Sequence, residues 1–203
     1  AHLPKPLVPV GNRPVIDRSI QYMKTHGIND IVVNVHHHAA KLQAHLEDGS
    51  TFGVRIQVRL EPEILGTGGG IRNTIDFWDN DPFVVINGDI LTNIDLTRAY
   101  KAHMASGNLV TLILHDHAFF NLVRVDAEMN IIEISREPGP EKLAFTGMHI
   151  IDPAVLHLIP DGVFFDIREC YRNLIRDGGP IKGYRAFGHY WRDIGSFRHY
   201  LLA

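Results

Sequence analysis

Lys5 is the first residue of this sequence whose type and setting could do chemistry. It stands between Pro4 and Pro6, and each proline fixes its own φ and biases the residue before it away from helix. The lysine is therefore expected to project from an extended, stiff segment, and a cation held in this way suits a phosphate group. The alternative is a surface turn with an incidental lysine, and Pro-Lys-Pro alone does not decide between the two.

Two aspartates follow segments that read as strands. Asp89 ends the segment Asn87-Gly88-Asp89, directly after an apolar run, and Asp193 follows Tyr190-Trp191-Arg192. A magnesium ion in a protein takes one or two carboxylates and fills its octahedron with water and phosphate oxygens. If the fold brings both strand ends together, Asp89 and Asp193 could share one cation. The alternatives are a simple turn at Asn-Gly-Asp and a helix cap at Asp193.

A cluster of glycines runs from Gly66 to Gly70, with Thr67 among them. Glycines at the entry to a helix leave backbone N–H groups uncovered and allow a flat base or a phosphate to approach closely. The spacing differs from the phosphate loop that ends in Gly-Lys-Ser/Thr and from the Gly-x-Gly-x-x-Gly of dinucleotide folds. Close packing of a helix on a sheet is the alternative, and the cost of glycine to helix stability favours a ligand. Thr67 is expected either to cap this helix or to meet the ligand.

Composition limits the class of protein that could carry these residues. The chain has 203 residues, 45% of them apolar and 21% charged, with a net charge of −3, which is typical of an ordinary globule. We expect neither a nucleic-acid nor a membrane partner, because there is no excess of positive charge and no apolar stretch long enough to span a bilayer. The single Cys170 fits a reducing, cytoplasmic location, and we expect it to be a buried packing residue in a helix.

The histidines do not predict a metal centre of their own. Three consecutive residues such as His36-His37-His38 cannot all face one metal from regular structure, and His115-Asp116-His117 has no Cys or Glu cluster nearby in sequence to complete a zinc set. We therefore do not expect zinc. Nothing in the sequence indicates an oligomeric state.

Apolar periodicity predicts strands that alternate with helices. Helices are expected over residues 14–24, 41–47, from the glycine cluster through 77, 96–105 and 164–176. Strands are expected over 31–35, 54–60, 83–86, 109–115, 148–151 and most of 181–192, with a hairpin formed by 122–125 and 131–135. The runs 31–35 and 83–86 are apolar on both faces, which is typical of strands buried inside a parallel sheet.

This alternation predicts an α/β fold, a three-layer α/β/α sandwich of the Rossmann-like type with a mainly parallel mixed sheet and hairpin insertions. The sequence contains no repeat, low-complexity tract or interdomain linker, so residues 1–203 are expected to form a single domain. In such sheets, ligands collect outside the carboxyl ends of the strands. Asp89 and Asp193 are both expected at strand ends of this kind.

Taken together and in this order, five segments resemble the sugar-1-phosphate nucleotidylyltransferases, a family with the nucleotide-diphospho-sugar transferase fold. The similar segments are 4–14 (the second half of the family's N-terminal signature), 65–69 (nucleotide loop), 87–89 and 191–195 (two metal motifs) and 145–147 (sugar loop). The resemblance runs over essentially the whole chain. Residues 33–37 and 65–71 look most like the branch with N-acetylmuramate-1-phosphate uridylyltransferase and mannose-1-phosphate guanylyltransferase-like proteins, which implies a uridylyl- or guanylyltransferase.

The resemblance implies an enzyme that transfers a nucleoside monophosphate from a nucleoside triphosphate to a sugar 1-phosphate with Mg²⁺, giving an NDP-sugar and pyrophosphate. The acceptor phosphate is already an anion at neutral pH, so no general base is needed, and the enzyme must align two anions and offset their repulsion. The implied roles are Asp89 and Asp193 for magnesium, Lys5 for the sugar-side phosphate, Gly66, Thr67, Gly68 and Gly88 for the nucleotide, and Asn121, Glu137 and Gly147 for the sugar.

Two departures from the family pattern leave alternatives open. The family's first strand and its glycine-rich loop with a catalytic arginine would precede Ala1, and we expect such a stretch upstream; a protein without it would instead be a non-catalytic regulatory protein that binds sugar nucleotides. Arg136-Glu137-Pro138 stands where many relatives have Glu-Lys-Pro, so either Glu137 still meets the sugar or Lys142 supplies a cation. A non-sugar acceptor such as phosphocholine or molybdopterin is a further alternative.

Overall fold

The computed structural model describes residues 3–117 and 120–201. The chain forms two compact units, each assembled from separated stretches of sequence. The first unit contains the residues up to Ile64, Gly88–Asn93 and the residues from Tyr190 onward, and the second contains Leu65–Asn87 and Ile94–His189. None of the described helices is long and apolar enough to cross a membrane.

Helices and strands alternate over much of the described chain, as predicted. The helices are α1 Val15–Thr25, α2 Ala39–Leu46, α3 Gly66–Arg72, α4 Leu96–Ser106, α5 Ile167–Arg176 and α6 Phe197–Leu201. The strands are β1 Pro9–Val10, β2 Arg13–Pro14, β3 Asp30–Val35, β4 Arg55–Leu60, β5 Phe83–Ile86, β6 Ile90–Thr92, β7 Val110–His115, β8 Asn121–Val125, β9 Ile131–Ile134, β10 Leu143–Ile151, β11 Ile181–Arg185 and β12 Trp191–Asp193. Short 3-10 helices cover Lys5–Leu7, Ser50–Phe52, Ile75–Phe77 and Pro153–Leu158.

A parallel strand pair and two helices form the body of the first unit. β3 and β4 pair in parallel along their full length. Ile16 and Ile20 lie one turn apart on α1, so both side chains point from the same face of the helix into the core. The buried residues of this core are Ile16, Ile20, Ile31, Leu46, Val54 and Ile56. α1 ends where expected, since Gly27 adopts a φ of +83° and its N–H donates to the Lys24 carbonyl.

A six-stranded mixed sheet forms the body of the second unit. β7 and β11 pair in parallel, whereas β10 is antiparallel to both β5 and β7. β5, β7 and β11 therefore run in one direction, with β10 reversed between β5 and β7. β8 and β9 form the predicted hairpin, which joins the sheet through β10. The sheet packs on α5 through a core that includes Leu112, Leu114, Ile151, Ile167 and Tyr171.

The segment around Lys5 is a 3-10 turn, so the prediction of an extended segment was wrong. Leu7 N–H donates to the Pro4 carbonyl at 2.9 Å, and Val8 N–H donates to the Lys5 carbonyl at 3.1 Å. Proline is tolerated in the first turn of a helix because an N–H at that position would have no intrahelical partner. The two prolines therefore help to start a turn instead of straightening the backbone.

The two apolar runs are less buried than predicted. Only Ile31 and Val35 of β3 are buried, Asn34 is exposed, and only Phe83 of β5 is buried. The reason lies in the pairing, because β3 and β5 each have a single partner strand among the described residues. An edge strand keeps contact with solvent that a central strand lacks.

Several predicted boundaries also change. The helix predicted from the glycine cluster through residue 77 ends at Arg72, and a separate 3-10 helix covers Ile75–Phe77. α5 begins at Ile167 instead of residue 164, because the Asp166 side chain accepts the Arg168 N–H at 2.9 Å and so caps the helix. The stretch 181–192 is divided between two strands, β11 in the second unit and β12 in the first. Gly188, at a φ of +80°, lies in the turn between them.

Candidate active site

Two short strands bring Asp89 and Asp193 together in the first unit. β6 begins directly after Asp89 and β12 ends at Asp193, and the strands pair antiparallel with Asp193 opposite Ile90. Ile194 N–H donates to the Asp89 carbonyl at 2.9 Å. Antiparallel pairing puts the start of one strand beside the end of the other. Two carboxylates that are far apart in the sequence thus become neighbours.

Gly195 lies against both carboxylates. A Cβ atom built on this residue would be 2.7 Å from Asp89 Oδ2 and 3.0 Å from Asp193 Oδ1. The two oxygens are therefore within about 6 Å of each other, a span that small side-chain rotations could close around one octahedral cation. Asp193 Oδ1 also accepts the Gly195 N–H at 2.7 Å. Glycine keeps this space open, and sequence reasoning gave Gly195 no role of its own.

The Lys5 ammonium group completes the cluster of charges. Its Nζ donates to the Gly195 carbonyl at 2.9 Å, and its positive charge acts on the Asp89 carboxyl group. Leu7, in the same 3-10 turn, packs against the core of the first unit, which fixes the turn that carries the lysine. The predicted phosphate-binding cation and the two predicted metal-binding carboxylates are thus brought together.

A small apolar cluster packs together the segments that carry Lys5, Asp89 and Asp193. Tyr200 of α6 also donates from its hydroxyl group to the Pro9 carbonyl at 2.6 Å, which ties the segment after Lys5 to the end of the described chain. Burial of apolar surface supplies the energy for this arrangement. The members of the cluster are the buried Val15, Leu91 and Ile194 with the partly buried Val10 and Tyr200.

The electrostatics of the acidic pair favour a bound cation. Burial raises the pKa of the Asp89 carboxyl group, the negative charge of Asp193 raises it further, and a backbone hydrogen bond and Lys5 lower it. Two ionised carboxylates this close repel each other, and a divalent cation would remove that repulsion. Carboxylate oxygens are the hard ligands that magnesium takes in proteins. His199 Nδ1 lies 3.8 Å from Asp193 Oδ1, beyond hydrogen-bonding distance.

The glycine cluster forms α3 in the second unit, and its glycines pack closely against the segment 163–165. A Cβ atom on Gly66 would lie 2.9 Å from the Phe165 carbonyl oxygen, and one on Gly69 would lie 2.5 Å from the Val163 carbonyl oxygen. The N–H groups of Gly68 and Gly69 both donate to the Phe165 carbonyl, at 2.8 and 3.2 Å. The prediction that the N–H groups are uncovered was wrong for Gly68 and Gly69, because both already donate to the Phe165 carbonyl.

Thr67 does not cap α3, since it lies inside the helix and is exposed. The residue at the cap position is Leu65, whose side chain makes no capping hydrogen bond. Gly88 is exposed in the turn between β5 and β6, and a Cβ atom there would meet nothing within 4 Å. Local packing therefore does not explain glycine at position 88.

Gly147 lies within β10 at a φ of +75°, where the pairing with β7 shifts its register. Its carbonyl accepts the Asn87 N–H at 3.0 Å. A Cβ atom on Gly147 would be only 2.6 Å from Asn87 Nδ2. Both the backbone conformation and the neighbouring side chain thus require glycine. Asn87 was not among the predicted site residues, although it belongs to the same Asn-Gly-Asp segment as Asp89.

The other predicted sugar residues lie in the second unit near the ends of β8 and β9. Asn121 uses its side chain within its own loop, accepting the His117 N–H at 3.0 Å and donating to Asp116 Oδ1 at 3.3 Å. Glu137 is exposed. Lys142 Nζ donates to Ser135 Oγ at 2.9 Å and to the Glu137 carbonyl at 3.4 Å, so its ammonium group is used to hold the loop.

Cys170 is a packing residue, as predicted. It is buried on α5 within the core of the second unit, and burial raises the pKa of its thiol to about 11. A thiol with a raised pKa is a poor nucleophile because the reactive thiolate is scarce at neutral pH.

A family model described as nucleotidyl transferase matches residues 1–203. The chain belongs to the nucleotidyl transferase family. It is 30% identical over 222 residues to UTP–glucose-1-phosphate uridylyltransferase of Synechocystis sp. and 31% identical over 201 residues to mannose-1-phosphate guanylyltransferase of Mycobacterium tuberculosis. These alignments cover 99% and 95% of this chain. The chain spans 57% and 55% of the length of the two relatives.

The fold is also similar to that of solved structures. The crystal structure of HddC from Yersinia pseudotuberculosis superposes with a TM-score of 0.82 at 21% identity, over 99% of this chain and 88% of that one. The predicted α/β fold and the predicted family are both confirmed.

Proposed function

We propose that this chain carries the catalytic centre of a magnesium-dependent enzyme that transfers a nucleoside monophosphate from a nucleoside triphosphate to a sugar 1-phosphate. The observation that carries the proposal is the cluster of Asp89, Asp193 and Lys5 around Gly195 in a nucleotidyl transferase chain. The names of the two relatives described above support it, since both are transferases that act on a sugar 1-phosphate.

Asp89 and Asp193 would hold the magnesium ion. When bound, the ion supplies positive charge to the phosphate oxygens and to the pyrophosphate that leaves. Because each of the two aspartates is fixed to a paired strand, their backbones need not reorganise when the cation enters. This preorganisation is how a protein lowers the barrier to a reaction in which charge is redistributed.

Lys5 supplies positive charge from the protein itself. An oxygen of the sugar 1-phosphate attacks the α-phosphorus of the triphosphate and forms a new P–O bond. The bond from the α-phosphorus to the bridging oxygen breaks, and pyrophosphate leaves with that electron pair. The attacking oxygen is already anionic, so no residue has to remove a proton. The exposed Lys5 ammonium group reduces the repulsion between the two anions as they meet.

The remaining proposed residues bind the two substrates. On the nucleotide side, Thr67 offers an exposed hydroxyl group, and Gly68 is proposed as a part of the same loop. Gly66 and Gly88 are proposed for the same substrate. On the sugar side we propose Asn121, Glu137 and Gly147, with the carboxylate of Glu137 as an acceptor for sugar hydroxyl groups.

The test is a matrix of UTP, GTP, CTP, ATP and dTTP against glucose, mannose and N-acetylmuramate 1-phosphates, read by pyrophosphate release with Mg²⁺ and with EDTA. We expect magnesium-dependent release for at least one pair, and UTP or GTP as the preferred triphosphate. Phosphocholine in place of the sugar phosphate tests a non-sugar acceptor. Tight binding of an NDP-sugar without any release of pyrophosphate would overturn the catalytic proposal and favour a regulatory protein.

A further inference from the structure

The loop that carries Glu137 joins β9 to β10, and hydrogen bonds within the loop close it. Lys142 Nζ donates to Ser135 Oγ at 2.9 Å and to the Glu137 carbonyl at 3.4 Å. Gly139 N–H donates to the Asn121 carbonyl at 3.2 Å. The loop therefore has a defined internal shape, and the place of Glu137 depends on how the ends of the loop are held.

Arg172 of α5 holds the first end of this loop. Its Nε donates to the Ile134 carbonyl at 2.8 Å, and Ile134 is the buried last residue of β9. A hydrogen bond from a charged donor is roughly twice as strong as one between neutral groups. This bond therefore fixes the backbone at the residue where the strand passes into the loop.

Glu169 keeps the guanidinium group of Arg172 in place. Its carboxylate accepts a hydrogen bond from Arg172 Nη1, three residues further along α5, and lies 3.8 Å from Arg136 Nη2 in the loop. The Arg172 side chain is 23% exposed, whereas the Arg136 side chain is 84% exposed. Because exposed ion pairs contribute little, Arg172 is the residue that joins the helix to the loop.

The helix that carries Arg172 is a rigid support. Cys170, Tyr171 and Leu174 are buried in the core of the second unit, and the Tyr171 hydroxyl group lies 2.5 Å from His149 Nδ1 on β10. A closely packed core resists displacement of any one of its elements. Arg172 therefore ties the start of the loop to a part of the second unit that stays in place.

We propose that Arg172, oriented by Glu169, is a positioning residue that sets Glu137 for the sugar 1-phosphate. The inference rests on the proposed function, in which the Glu137 carboxylate accepts hydrogen bonds from sugar hydroxyl groups. A misplacement of about 1 Å, even when its cause lies far from the chemistry, can cost about 100-fold in rate. Arg172 acts through the loop and need not touch the substrate.

The experiment compares the steady-state kinetics of wild type, Arg172→Ala and Arg176→Ala. Arg172→Ala should raise the KM for the best sugar 1-phosphate about 10-fold, with little change in kcat. The KM for the nucleoside triphosphate should not change. Arg176→Ala is the matched control, because it removes the same charge one turn further along α5, where the side chain is 68% exposed and pairs with the adjacent Asp177. This control should behave like wild type.

A double-mutant cycle tests whether Arg172 acts through Glu137. Glu137→Ala should raise the KM for the sugar 1-phosphate by itself, and adding Arg172→Ala should then raise it little further. Changes at residues that act through each other are not additive, whereas changes at independent sites are. Fully additive losses would overturn the inference, and so would an unchanged KM for the sugar or an equal rise in the KM for the triphosphate.

Far-UV circular dichroism and a melting curve show whether Arg172→Ala is folded. If it is not, Arg172→Lys takes its place, since it keeps the stem and the charge but loses the planar fork of donors. The KM for the sugar should then rise in the same direction, and an unchanged KM would contradict the inference.

Hydrogen–deuterium exchange separates this inference from the proposed function. If wild type releases no pyrophosphate, the proposed function fails by itself, and exchange still tests the contact. The amides of residues 135–142 should exchange faster in Arg172→Ala than in wild type or Arg176→Ala. Calorimetry should show weaker binding of UDP-glucose or GDP-mannose, with unchanged binding of UDP or GDP. Equal exchange in the three proteins would refute the inference.

Discussion

A methyl group at position 195 would intrude between the two carboxylates. The Cβ atom of Gly195→Ala would lie 2.7 Å from Asp89 Oδ2 and 3.0 Å from Asp193 Oδ1. Comfortable contacts between nonbonded heavy atoms are roughly 3.5 Å or longer. Both oxygens must therefore retreat, Asp89 Oδ2 by more than half an ångström on this rough scale. The backbone at Gly195 cannot move away freely, because its N–H and its carbonyl are bonded to Asp193 and Lys5.

The cost of this displacement should fall on catalysis more than on folding. Magnesium demands near-ideal octahedral geometry with oxygens about 2.0–2.1 Å away, and a misplacement of about 1 Å in an active site can cost about 100-fold in rate. We expect Gly195→Ala to lower turnover roughly 10- to 100-fold and to raise the magnesium concentration that gives half-maximal rate. The free energy of unfolding should change by no more than about 1 kcal/mol, since an added methyl group also restricts the unfolded chain.

The assay is pyrophosphate release over a magnesium titration, with urea unfolding on the same samples. Gly27→Ala is the control in the same unit, because Gly27 has a φ of +83° and open space around its added Cβ atom. It should cost about 1 kcal/mol in stability through backbone strain and leave turnover unchanged. If Gly195→Ala kept wild-type turnover and wild-type magnesium dependence, the idea that Asp89 and Asp193 bind the metal beside Gly195 would be refuted.

Three further predictions follow from the same structure. Asp89→Asn and Asp193→Asn should each abolish magnesium-dependent pyrophosphate release while circular dichroism stays that of wild type; full turnover would remove that residue from the metal site. Lys5→Ala should raise the KM for the sugar 1-phosphate and slow turnover, and an effect confined to the nucleoside triphosphate would reassign the lysine. Burial lowers the pKa of His149 from 6.5 to about 3. Between pH 6.5 and about pH 3, the unfolded chain therefore binds a proton at this histidine that the folded chain does not. Stability should therefore fall as the pH drops below 6.5, by roughly 1.5 kcal/mol from this group between pH 6.5 and 5. The Tyr171 hydroxyl group lies 2.5 Å from His149 Nδ1. Urea unfolding at several pH values measures the slope, and His149→Gln, which can still accept a hydrogen bond from Tyr171, should reduce it.

Local periodicity predicted most of the longer helices and strands, but not the short strands β1, β2 and β6 or the short helix α6. Ile16 and Ile20 recur at helical spacing and both lie in the core, and the hairpin of β8 and β9 forms where its two short apolar runs indicated. The extent of burial was not predictable, because it depends on how many partner strands an element finds. β5 illustrates this, since its apolar run pairs on one side only among the described strands.

The sequence identified Asp89 and Asp193 separately as candidate metal-binding residues, but it did not show that they are neighbours. Nothing local in the sequence indicates that β6 and β12 will be neighbours, so their convergence came only from the resemblance to a family. The glycines show the same limit more sharply. Gly195 keeps space open beside two carboxylates, Gly68 lies against Phe165, and Gly147 combines a positive φ with contact to Asn87. One residue type meets three different requirements, and only the packed structure tells them apart.

The charges of the site explain why the metal and Lys5 would act together. With both carboxylates ionised, Asp89, Asp193 and Lys5 carry a net charge of −1, so the site by itself does not attract a triphosphate. A bound divalent cation changes that sum to +1 and turns the same residues into an attractive site for two phosphate groups. Removing Lys5 would bring the metal-loaded site to neutrality, whereas removing the metal returns it to a negative charge. On this proposal the carboxylates would make anion binding depend on the cation, and the lysine would keep the metal-loaded site positive.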